Sequence, residues 1–245
     1  MEVKNNPAGR LYDILELARR QNPKQPARKA WAAVFEIESA DTGTLLQMLA
    51  DLLKLVHETK TAIQRLDNVD QELHLRPFRK IEGLLSNINL DASWENWQNK
   101  IDDTTLYGLQ FSSDRLSRIS GFTQLDSDEI VKLRSVVDEL FNSVVDSALP
   151  SELKMLLLRN LESIRLSLAA YRIRGIEGIH EEIERSLGSV LLHQDEIQKS
   201  SSKERSLWES FFDLVKRLNQ VVSLARTGQE LAAPAILALA QMLHH

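Results

Sequence analysis

Two patterns that could do chemistry converge on one histidine. Glu177-Gly178-Ile179-His180 is an ExxH. Residues three apart on a helix point the same way, and carboxylate-bridged two-metal bundles use this spacing to set a carboxylate and an imidazole on one ion. Such a centre needs a second ExxH and two more inward carboxylates. His57, His74 and His193 have Lys54, Gln71 and Val190 three positions earlier, so the second half is not encoded. The sequence therefore predicts no metal and no cofactor, and a surface His180 among Glu181, Glu182 and Glu184. The second pattern is Arg174 followed, after five residues, by the same His180.

That spacing resembles the arginine–histidine motif of HEPN-type ribonucleases, a family of all-helical bundles. The likeness covers the seven residues from Arg174 to His180. It implies metal-independent RNA cleavage at a dimer cleft, in an effector of the bacterial toxin–antitoxin or antiviral kind. Arg174 would stabilise a phosphate and His180 would shuttle a proton. Gly175 stands where the family carries a polar residue after its arginine.

The rest of the chain is poor in chemistry. There is no glycine pattern that cradles a phosphate, no GxSxG and no HExxH. The absence of cysteine excludes disulfides, thiolate zinc sites, iron–sulfur clusters and cysteine nucleophiles. Trp94 and Trp97 could stack on bases or sugars, but their spacing predicts a helix pinned onto a bundle. Arg159, Arg165, Arg172 and Arg174 have no interleaved aromatics and predict a solvated or ion-paired face.

The elements that must position these residues are helices. Val, Ile, Tyr and Phe fall on a helical period, so the expectation is all-α: an antiparallel multi-helix bundle of about nine helices, with no sheet. The first helix is expected near Arg10 to Arg20, and Pro26 suits the first turn of a second carrying Trp31, Val34, Phe35 and Ile37. A long helix follows at about Thr44 to Leu66, with Thr44 and Gln47 as a capping box. Pro77 is expected to open the next. Asp126 with Glu129, Pro150, Ser201 with Glu204, and Thr227 with Glu230 mark later starts. Leu157 and Leu161 lie on a stripe with Leu153, Ile164, Leu168 and Tyr171 and are expected in the core; Gly175 then interrupts, and a further helix is expected from Ile176. A soft boundary near Gly121 divides a helical region, 1–120, from a helical bundle, 121–245, unless the two are continuous.

Net charge is −5 over 245 residues, which does not favour bulk nucleic-acid binding. Residues 1–30 hold seven basic and three acidic side chains, a local +4 that predicts a solvated basic face. The start, MEVKNNPAGR, reads as neither signal peptide nor anchor. No run approaches the ~20 apolar residues of a spanning helix, and a cysteine-free chain fits a reducing cytoplasm. Leu231 to Leu243 has no charge, so a helix there must be buried on more than one side. It is expected to dock onto another copy or a partner through Ile236, Leu237, Leu239, Met242 and Leu243. His244 and His245 have the look of a purification-tag remnant. The sequence leaves catalysis open but favours a non-enzymatic interaction or scaffold protein. The alternatives are the ribonuclease-like effector and a membrane-active protein working through its final helix.

Overall fold

Short acidic and amide side chains set the helix starts in the first half of the chain. In a computed structural model, which describes residues 6–67, 69–86, 88–118, 127–199 and 202–225, α1 (Pro7–Arg19) begins where Asn6 Oδ1 accepts from the Gly9 amide at 3.0 Å. α2 (Ala27–Phe35) starts after Pro26 and ends at Glu36, which adopts φ 58°. Ile37 therefore lies beyond the helix expected to carry it. α3 (Thr42–Gln64) is capped by Asp41, whose Oδ1 accepts from the Thr44 amide at 3.0 Å. The Thr44–Gln47 box is thus displaced by a better cap three residues earlier. α4 (Gln71–Leu85) is capped by Asp70 and contains Pro77, which does not open it. A proline at that position costs one intrahelical bond, and its ring is buried against a neighbouring helix. A single turn, α5 (Glu95–Gln98), precedes α6 (Asp103–Ser117), capped by Asp102.

The second half holds α7 (Ser127–Val145), α8 (Ser151–Ala169), α9 (Tyr171–Leu192), the single turn α10 (Gln194–Gln198) and α11 (Ser202–Ala225). Eleven helices and no strand occur among the described residues, which makes the chain all-α. One isolated bridge joins Pro26 to Ser93. Asp126, Ser201 and Thr227, expected as caps, lie outside the described residues, as does the whole final segment.

The chain divides into two compact units, Met1–Phe122 and Thr123–His245. In the first, α1, α3, α4 and α6 close a ring in chain order, with α2 against α1 and α3. α4 runs antiparallel to α6: Lys80 bonds Asp102, Pro77 faces Gly108, and His74 Nδ1 lies 3.0 Å from Ser112 Oγ. In the second, α7, α8, α9 and α11 close a similar ring. Its core takes in Leu157 and Leu161 with Ile164, Ile183, Trp208 and Phe211, all fully buried.

Gly175 divides α9. Its φ of 63° and ψ of −160° fall in a region open essentially to glycine alone. The interruption expected there is a sharp kink between the turn Tyr171–Arg174 and the helix that resumes at Ile176, and the preceding helix, expected to carry Tyr171, already ends at Ala169.

Candidate functional site

The local backbone decides what Arg174 and His180 can do. Arg174 is the last residue before the break at Gly175. Its side chain folds forward over Gly178, where a Cβ would sit 2.5 Å from Arg174 Cβ. Its guanidinium then reaches Glu181 at 2.8 Å and Glu182 at 3.4 Å. The Glu182 side chain is 4 % exposed and also binds Arg185 at 3.0 Å. A carboxylate that deep is tolerable only with such partners. His180 is not the surface residue expected. Its side chain is 15 % exposed, Nε2 lies 3.3 Å from Glu184, and Nδ1 is buried with no hydrogen-bond partner. The arginine is thus directed at one pair of carboxylates and the histidine at another. Among the described residues no group of three His, Asp or Glu could hold a metal ion.

The other residues singled out from sequence are structural. Trp94 and Trp97 are buried with Trp31, their ring centroids 5.1 and 6.1 Å from it, and Trp94 Nε1 donates to the Ala18 carbonyl at 3.0 Å. They tie the α5 turn to α1 and α2 and offer no face to a ligand. Arg165 bonds Asp138 at 2.9 Å and lies over Phe141. The basic amino-terminal residues are largely ion-paired: Arg10 is buried on Glu58, Arg19 meets Asp103, Arg20 meets Glu16, and Arg28 meets Asp91. Arg20, Lys24 and Lys29 are nevertheless exposed, so part of the expected solvated basic face is present. Ile236, Leu237, Leu239, Met242 and Leu243 lie outside the described residues.

The open site in the structure is one the sequence did not single out. α4 and α6 touch most closely where Pro77 meets Gly108; a Cβ on Gly108 would stand 2.3 Å from Pro77 Cγ. Above that contact runs a groove of about 760 Å³. Leu73 and Pro77 on α4 face Tyr107 and Phe111 on α6. Leu73, Tyr107 and Phe111 are 61, 58 and 72 % exposed, and the last two are the only exposed aromatic side chains among the described residues. Arg76, Lys80, Arg115 and Arg118 rim the groove against a single carboxylate, Asp114. Lys80 is held by Asp102 and Arg118 by Asp114 at 2.8 Å. The Lys80 ammonium, helped by the Thr105 hydroxyl, pulls the Asp102 carboxyl down to about 2. Arg76 and Arg115 have no ion-pair partner among the described residues.

No protein family, curated protein or solved structure matches the chain. The site has to be read from its own chemistry. An apolar strip with unpaired cations on its rim can bind a complementary surface. His74 lines the groove with Nδ1 3.0 Å from the Ser112 hydroxyl, but that hydroxyl is fully buried and donates to the Gly108 carbonyl at 2.9 Å, so it is not presented to a substrate. Sequence reasoning passed over it because Tyr107 and Phe111 sit at ordinary helical spacing. The signal that was there is a second apolar stripe on α6, next to the buried one of Leu106, Leu109 and Leu116.

Proposed function

We propose that the chain is a non-enzymatic interaction protein, and that its working surface is the α4–α6 groove. The observation that carries the reading is the exposed strip of Leu73, Tyr107 and Phe111 in a unit that has buried Trp31, Phe35, Phe78, Trp94 and Trp97. Exposing large apolar groups together forfeits about 1.5–3 kcal/mol for each that could have been buried. Contiguous exposed patches of that kind mark binding surfaces in monomeric proteins. No described helix is long and apolar enough to cross a membrane. A ribonuclease reading would use Arg174, whose guanidinium is directed at Glu181 and Glu182.

The test is site-specific photo-crosslinking in the native host. A benzophenone amino acid at position 107 or 111 is expected to give a discrete protein adduct, and one at Lys29, exposed on α2, is expected to give none. Equal labelling from all three positions would remove the groove from the reading. RNA cleavage by the purified chain that is lost in His180→Ala would overturn the non-enzymatic assignment.

A further inference from the structure

We propose that the groove takes an acidic amphipathic helix of a partner protein, a step that rests on the groove being the working surface. Its dimensions fit a helix. The α6 wall runs from Thr104 to Arg118, and the fourteen rises of about 1.5 Å between them span about 21 Å, close to four turns. Both walls are helices, antiparallel and meeting at a glycine–proline contact, so the trough between them follows two helix axes. A third helix seats in such a trough by placing anchors at i, i+3, i+4 and i+7 between the walls.

The charge selects which helix. The groove carries four cations against Asp114 on its rim and Asp102 on Lys80, a local +2, in a chain of net charge −5. Lys80 and Arg118 already have carboxylates, whereas Arg76 on the α4 wall and Arg115 on the α6 wall have none among the described residues. The two free guanidiniums stand on opposite rims of the apolar strip. They would meet glutamates or aspartates on both flanks of the seated helix, each a charge-assisted bond available in bidentate geometry. A basic helix would set like charges against all four cations, so the same residues that attract one partner exclude the other.

A nucleic-acid strand fits less well. Tyr107 and Phe111 could stack bases, but Leu73 and Pro77 opposite them are aliphatic and give bases no ring to stack on. The overall negative charge also opposes phosphate accumulation.

The test uses three fluorescent probes with the full chain. One is a sixteen-residue helical peptide with leucine anchors and glutamate flanks. The second has lysine in place of each glutamate, and the third is a single-stranded RNA of similar length. The glutamate peptide is expected to bind at least tenfold tighter than either of the others. Phe111→Ala should weaken it about tenfold and Arg115→Glu should move the preference toward the lysine peptide, with the circular dichroism of both variants unchanged because the side chains lie on the surface. Equal binding of the two peptides overturns the inference, as does tighter binding of the RNA with the same dependence on Phe111. If the photo-crosslinking yields an adduct at position 107 or 111 while the glutamate peptide shows no advantage, the occupant is wrong and the groove stands. If it yields none, both fail.

Discussion

Replacing Gly108 by alanine should destabilise the first unit, although alanine is the better helix former. A Cβ at position 108 would stand 2.3 Å from Pro77 Cγ. Carbon atoms in contact prefer about 3.5 Å, so the helices must separate by roughly 1.2 Å. The proline ring is rigid and buried and cannot turn aside. Overpacking of this kind costs about 1–3 kcal/mol, and the helix-propensity gain returns about 1 kcal/mol. The net expectation is a loss of roughly 1 kcal/mol. Pro77→Ala removes the clashing atom and leaves Cβ, which at 3.5 Å is an ordinary contact. In that background Gly108→Ala should therefore stabilise by about 1 kcal/mol. The sign change, a coupling near 2 kcal/mol, is the signature of direct contact. Urea unfolding followed by tryptophan fluorescence reads it well, since Trp31, Trp94 and Trp97 all belong to the first unit. If Gly108→Ala stabilises with Pro77 present, α4 and α6 do not meet there and the groove has a different floor.

Leu161→Ala should cost about 2–5 kcal/mol, because the side chain is fully buried among Leu157, Ile164 and Trp208. A change below about 0.5 kcal/mol in the unfolding free energy would place it at the surface. Gly175→Ala should cost about 1–3 kcal/mol for a φ of 63° with ψ of −160°, and an unaltered melting temperature would mean the break has another origin. Asp102→Asn tests the Lys80 pair through pH. The folded carboxyl sits at about 2, below its ordinary 3.8, so its contribution is present above about pH 4 and is lost as pH falls toward 2. Asparagine keeps the cap but not the charge, so the variant should be less stable at pH 7 by up to about 1 kcal/mol, a partly exposed pair, and the deficit should shrink as pH falls from about 4 through 2. A deficit that does not change between pH 7 and pH 2 would assign it to the cap alone.

The all-α class was legible because stripes such as Leu153, Leu157, Leu161, Ile164 and Leu168 repeat at helical spacing and have nowhere to go but a shared core. The break at Gly175 was legible because glycine inside a periodic run is a local signal. Pro77 misled because proline marks a helix start only when no better cap lies upstream, and Asp70 is one. The groove was illegible for a different reason. A stripe states that a face is apolar, not whether a neighbour reaches it. Leu106, Leu109 and Leu116 find neighbours within the unit; Tyr107 and Phe111, one or two positions along, do not. The burial of His180 was likewise hidden, because its three flanking glutamates suggest solvent while Ile179 and Ile183 carry that turn into the core.

The arginine that sequence nominated for catalysis has a mechanical use where it stands. The backbone ladder of α9 is interrupted at Gly175, so the turn holding Arg174 and the rod beginning at Ile176 are no longer joined by regular helical bonds. Arg174 lies before the break, and Glu181 and Glu182 lie after it. Their ion pairs bridge the discontinuity, and Gly178 leaves the room for the side chain to lie across it. Moving the guanidinium to a phosphate would strip a partner from Glu182, which is buried, and removing one partner of a buried pair costs several kcal/mol. Arg185 would remain on that carboxylate, which softens the cost without cancelling it. A guanidinium in that position is worth more to the fold as a tie than to a substrate as a clamp. Arg76 and Arg115 are in the opposite condition, with no ion-pair partner among the described residues to give up, and their charge is available to bind.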